Sequence, residues 1–202
     1  MAIRILPFRQ YDENDVVNLF SMDVVNSKPS DTNADAGMLV SVSAKDMDKD
    51  PVELNASDGG LLGERNYPYV ARNYYPSVPL KVTPCDGSTT PLGLTLAQTL
   101  THDENDENLL RYPQKKAELY AVTSGEAVPV ATKGIFTLSS AAFTTDPLKT
   151  HTHVHAAAAG QLTPNTTADG AVGTILGVGT RSSKNGNADQ FEGKYAVIKL
   201  DL

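Results

Sequence analysis

The chain has 202 residues, enough for one sizeable core or two small ones. A hydrophobic share of 40%, a charged share of 20%, 15 glycines and 12 prolines describe a globular, turn-rich polypeptide with too little helical periodicity for a bundle. The formal net charge of -7 argues against nucleic acid or an anionic membrane as a partner reached by bulk electrostatics. The single cysteine, Cys85 in VTPCDGS, excludes an intramolecular disulfide and a Cys-rich zinc site. Residues 1–10 lack the apolar run of a signal peptide, and no stretch of about eighteen apolar residues is present to span a bilayer. The expectation is a soluble chain made in a cytoplasm, without a cofactor.

Residues 1–11, MAIRILPFRQY, are mostly apolar with two arginines and a proline, and read as an extended arm. The arm packs either on its own domain or on a neighbouring subunit, where Ile3, Ile5, Leu6 and Phe8 would be the anchors. In residues 12–20, acidic side chains precede Val16, Val17, Leu19 and Phe20, which fits a short helix with a favourable N-terminal charge or a short strand. Residues 26–36 are polar and turn-forming, so residues 1–36 divide off as arm and linker and residues 37–202 as a β domain. GMLVSVSA, residues 37–44, alternates apolar and small polar residues as a strand does. The acidic turns that follow lack the D-x-D-x-D-G spacing and distal Glu of a calcium loop.

Residues 65–79, RNYPYVARNYYPSVP, carry four of the eight tyrosines with three prolines and two arginines. The prolines deny this stretch a central strand, leaving an extended loop that presents Tyr67, Tyr69, Tyr74 and Tyr75. Tyrosine with arginine is an interface composition; the same rings could instead cover the domain's own apolar side. Residues 80–83, 92–100 and 116–123 read as strands, and the acidic loop THDENDENLLRYPQ between the last two reads as solvated charge rather than a catalytic cluster. AVPVA and the run to Leu138 add short strands at the tight spacing of a barrel or sandwich.

His151, His153 and His155 lie in KTHTHVHAAAAG, where a strand would set all three on one face. Same-face neighbours are then about 6.5–7 Å apart, too far for one chain to close a tetrahedral zinc site along a single strand. A metal would have to be shared between subunits on a symmetry axis; otherwise these are surface histidines with ordinary hydrogen bonds. Residues 171–202 form two strands around a polar loop. Their Leu176-Gly177-Val178 echoes Leu92-Gly93-Leu94, with glycine where a bulge or barrel corner needs it. The final strand is expected to close the barrel that residues 92–100 and 116–123 begin. The fold class is therefore mainly β: a small antiparallel β-barrel or sandwich with an extended N-terminal arm and long loops.

Three motifs occur in one order: Gly125-Glu126-Ala127-Val128 at a turn between strands, Gly134-Ile135-Phe136 opening a strand, and Val172-Gly173-Thr174-Ile175-Leu176-Gly177 before a final apolar strand. Over residues 80–202 this pattern resembles the capsid decoration, or head-stabilisation, proteins of tailed bacteriophages. The resemblance implies a small β-barrel held in many copies on the capsid exterior, often as homotrimers, with the major capsid protein and itself as partners. Residues 1–60 and the tyrosine loop match nothing in that pattern, so it does not assign the segment that grips the shell. The alternative is a carbohydrate- or receptor-binding β module of a virion surface, with Tyr67, Tyr69, Tyr74 and Tyr75 as a stacking platform. No P-loop, nucleophile elbow or H-E-x-x-H motif is present, and no catalytic residue is expected.

Overall fold

The structure is a computed structural model and describes residues 3–32, 34–45, 78–182 and 193–202. Its strands in chain order are β1 (Ile5–Gln10), β2 (Val16–Ser21), β3 (Leu39–Ala44), β4 (Lys81–Pro84), β5 (Pro91–Thr95), β6 (Gln98–Leu100), β7 (Ala121–Thr123), β8 (Ala127–Ala131), β9 (Lys133–Ser139), β10 (His153–Ala156), β11 (Leu162–Asn165), β12 (Gly173–Arg181) and β13 (Gly193–Asp201). Among the described residues one α-helix, α1 (Pro113–Glu118), stands between them. The protein is mainly β, with two principal sheets. β2-β4-β3-β5-β8 close a five-stranded barrel, and β1-β9-β13-β12-β10-β11 form a six-stranded antiparallel sheet. β6 and β7 make a short parallel pair.

Alternation along β3 explains how the two sheets join. Leu39 and Val40 are both fully buried, yet they point to opposite sides of the barrel wall and enter different cores. Val40 packs inside the barrel with Met22, Val82, Val128 and Val130. Leu39 faces outward with Leu94 and Ala131, onto Phe136, Leu138, Ile198 and Leu200 of the six-stranded sheet. The barrel is thus lined on the inside and roofed on one outer side. Truncating Phe136 or Leu138, both 0% exposed in that second core, should cost about 2–5 kcal/mol.

Several segments differ from their sequence reading. The presumed arm, residues 1–11, packs on its own chain, the first of its two alternatives, through β1 in the six-stranded sheet, and the segment after it adds β2 to the barrel. β1 pairs with β9, β2 pairs with β8 and β4, and Ile3 and Leu6 are buried, so residues 1–36 do not divide from residues 37–202. Pairing within the chain satisfies the backbone groups and removes the apolar side chains from water in one step. Residues 12–20 combine both alternatives: Asp12 caps a 3-10 turn, Glu13–Asp15, by accepting from the Asn14 backbone N–H at 2.9 Å, and β2 follows directly.

The C-terminal hairpin does not close the barrel. β12 and β13 pair with each other inside the six-stranded sheet, and β8 closes the barrel against β2 and β5. β13 is central because Ala196, Ile198 and Leu200 face the core while Lys199 and Asp201 alternate to solvent. Residues 116–123 are not one strand. Pro113 opens α1, Lys115, Lys116, Ala117 and Glu118 favour helix, and only Ala121–Thr123 extend into β7. The echoed Leu-Gly pairs do share a geometry: Leu92 and Leu176 each fall at a register shift, Leu92 between paired Pro91 and Gly93 and Leu176 between paired Ile175 and Gly177. Glycine is obligatory at the first, where a Cβ on Gly93 would lie 2.4 Å from the Ala131 carbonyl oxygen. No helix among the described residues is long and apolar enough to cross a membrane.

Candidate functional site

The four expected anchors of the N-terminal segment separate on folding. Ile3 and Leu6 are buried and Ile5 is half-buried against the core between barrel and sheet, whereas Phe8 is 60% exposed. Tyr67, Tyr69, Tyr74 and Tyr75 lie outside the described residues. Exposed aromatic surface near β1 comes instead from Phe8 and from Tyr120, which is 58% exposed. The Arg9 guanidinium stands 5.6 Å from the centroid of the Tyr120 ring, a cation–π contact. Tyr120 follows α1 with φ of 51°, the left-handed position that glycine usually takes, at a cost of about 1–2 kcal/mol.

Beside this pair lies a cleft of about 250 Å³. Ile5, Pro29, Leu119 and Tyr120 form apolar walls, and Arg4, Asp35 and Gln98 supply its polar groups. Asp35 is 2% exposed; it accepts from the Ile3 backbone N–H at 2.6 Å and from Gln98 Nε2 at 3.3 Å. Burial pushes its carboxyl up to about 6 against the pull of the Ile3 hydrogen bond and of the nearby Arg4 charge. Asp35 therefore ties the start of the six-stranded sheet to the loop that enters the barrel.

A second buttress holds α1. Lys116 Nζ donates to both carboxylate oxygens of Glu126, at 2.8 and 2.9 Å, and the Thr123 N–H and hydroxyl both donate to Glu126 Oε2 at 2.8 Å. Burial opposes ionisation of Glu126, but the bonds from Lys116 and Thr123 outweigh it and hold the carboxyl below its usual range. The acidic loop is likewise ordered rather than merely solvated. Asp103, 2% exposed, accepts from the backbone N–H groups of Asn105 and Glu107, both at 2.8 Å. Glu104 pairs with Lys115 at 2.7 Å and Asp106 with Lys28 at 2.6 Å.

Two of the three histidines make local bonds. His151 Nδ1 accepts from the Leu148 N–H at 3.1 Å, and His155 Nε2 donates to the Thr167 carbonyl at 2.9 Å. His153 and His155 flank the fully buried Val154 on β10, while His151 precedes the strand in a turn. Among the described residues no group of three or more His, Cys, Asp or Glu side chains is placed to hold a metal ion.

Asp35 and Tyr120 are residues that sequence patterns do not reveal, and Glu126 shows there only as part of a turn motif, without its bonds to Lys116 and Thr123. Asp35 sits in a polar linker, NADAG, indistinguishable from solvated turns, and Tyr120 is hidden once residues 116–123 are read as a strand. Compared with protein-family models, with curated proteins and with solved structures, the chain matches none.

Proposed function

We propose that this is a structural virion protein of a tailed phage that binds the outside of the capsid and stabilises it through contacts with the major capsid protein and with copies of itself, as a homotrimer. The observations that carry the reading are two exposed aromatic side chains, Phe8 on β1 and Tyr120 in contact with Arg9 of the same strand. Aromatic and arginine side chains dominate the energetics of protein interfaces, and here Phe8 and Arg9 lie on β1, which packs on the core between barrel and sheet, while Tyr120 lies in the turn between α1 and β7. The Tyr120 backbone strain is held in place by α1 and its Glu126 buttress, as a presented side chain requires. No chemistry is asked of the protein in this role, only a stable scaffold and an adhesive surface.

The test is binding of the purified protein to empty capsids that lack it. Phe8→Ala with Tyr120→Ala should weaken binding more than tenfold, about 1.4 kcal/mol or more, while leaving the melting temperature within a few degrees of the parent. Unchanged binding by the double variant would remove this surface from the interface. The carbohydrate-binding reading rests on Tyr67, Tyr69, Tyr74 and Tyr75, and glycan-array binding lost on Tyr74→Ala would favour it instead.

A further inference from the structure

The six-stranded sheet ends in β1 and β11, and each of these edge strands carries a proline, Pro7 and Pro164, which removes a ladder donor and blunts the edge against pairing. A different edge inside the sheet has no partner strand among the described residues. β12 pairs with β13 along its whole length, from Gly173 opposite Leu200 to Arg181 opposite Gly193. On its other side β10 reaches only Gly173 and Thr174, with one further bond from the Ile175 N–H to the Thr152 carbonyl at 2.8 Å. From Leu176 onward no strand among the described residues pairs with that side. The stretch contains no proline; Leu176 is 54% exposed, and Thr180 is exposed.

The bulge decides which backbone groups face outward. Backbone groups alternate between the two sides of a strand, and Ile175 points to β10. At the bulge Leu176 and Gly177 together oppose Val197, which shifts the alternation by one residue. Val178 and Thr180, not Gly177 and Gly179, then direct their N–H and C=O groups away from β13. Two copies of this edge are complementary to each other. In antiparallel register about a two-fold axis at Gly179, Val178 of each copy falls opposite Thr180 of the other, and each pair exchanges both N–H···O bonds. Arg181 then faces the uncharged Gly177, so like charges are not opposed, and the exposed Leu176 is covered by the end of the second strand.

We propose that the outer edge of β12 from Leu176 to Arg181 is a strand-pairing site that takes the same segment of a second copy of this chain, joining two six-stranded sheets through main-chain hydrogen bonds. The pairing goes beyond the capsid reading and is measured on the free protein without shells, so either can fail alone. Sedimentation of the full chain over a micromolar to near-millimolar range tests it with two variants. Thr180→Pro removes the outward N–H without touching the β13 ladder, and Thr180→Ala keeps the backbone. The parent and Thr180→Ala should double in mass with rising concentration and equal affinity, and Thr180→Pro should associate more than about tenfold more weakly. Hydrogen exchange on the parent chain gives a reading that does not depend on a variant folding. The amides of Val178 and Thr180 should gain protection as concentration rises, while that of Gly179, already bonded to β13, should not change. Equal association by Thr180→Pro and the parent, or amides at 178 and 180 that stay unprotected at the highest concentration, would overturn the proposal.

Discussion

Replacing Asp35 by asparagine should stabilise the protein at neutral pH, although it removes a charge that holds a buried hydrogen bond. The carboxyl is raised from 3.8 to about 6 because burial penalises its ionised form more than the Ile3 N–H and the neighbouring Arg4 charge favour it. Between those two values the folded chain binds more protons than the unfolded chain, so the stability contributed by this group is full below the unfolded value, falls as pH rises through the window and is lost above about 6. The whole shift would correspond to about 3 kcal/mol. Solvent in the adjoining cleft screens the charge, and about 1–2 kcal/mol is the expected effect. Asparagine keeps an acceptor for the Ile3 N–H and needs only a reversed Gln98 amide to pair its own NH₂. Alanine instead strands the Ile3 N–H and should lose about 1–3 kcal/mol relative to asparagine. Urea unfolding of the three proteins from pH 4 to 7.5 measures this, read as the difference between parent and Asp35→Asn so that other carboxylates cancel. The difference should grow in favour of asparagine as pH rises and then level off. A pH-independent difference, or an asparagine variant less stable than the parent at pH 7.5, would refute the reasoning.

The two echoed glycines should respond in opposite ways. Gly93→Ala drives a Cβ against the Ala131 carbonyl at 2.4 Å and should cost about 2–4 kcal/mol or prevent folding, whereas Gly177→Ala meets nothing within 4 Å and should stay within about 0.5 kcal/mol of the parent; thermal melts of both decide it. Glu126→Gln breaks the Lys116 pair and should cost about 1–2 kcal/mol near pH 7. Because the Glu126 carboxyl is held below its usual range, its contribution is present above the unfolded value of 4.5 and fades as pH falls through the lower folded value, so the two proteins should converge in acid. Titrating the parent with zinc should produce no stoichiometric uptake by His151, His153 and His155, since two of the three are engaged in local hydrogen bonds; retained metal after dialysis would contradict that geometry.

What could be seen in the sequence was the alternation of single strands; what could not was which strands meet. β13 announces itself because one face is apolar and the other is not, and β3 and β8 because they are short runs rich in β-branched and small apolar residues between turns. Pairing depends on contacts distant in the chain, so the C-terminal hairpin could be identified as two strands yet assigned to the wrong sheet. The N-terminal segment misleads for a related reason: Ile3, Ile5 and Leu6 are as apolar as an intersubunit anchor, and only the partnership of β1 with β9 shows that their cover lies in the same chain. The break between β5 and β6 at Leu96-Ala97 and the helix at Pro113–Glu118 fall in stretches whose apolar content is compatible with either state. The candidate surface was legible only in Phe8. Tyr120 acquires its role from a left-handed turn after α1, and Asp35 from burial by residues more than thirty positions away.

The capsid-binding reading is tested most directly by cosedimenting the purified protein with empty tailed-phage heads prepared without it, and imaging the bound shells. The account predicts saturable binding at a fixed ratio to the major capsid protein, density on the exterior and shells that withstand higher temperature. Heads that sediment bare at saturating protein, or protein found only inside the shell, would contradict it.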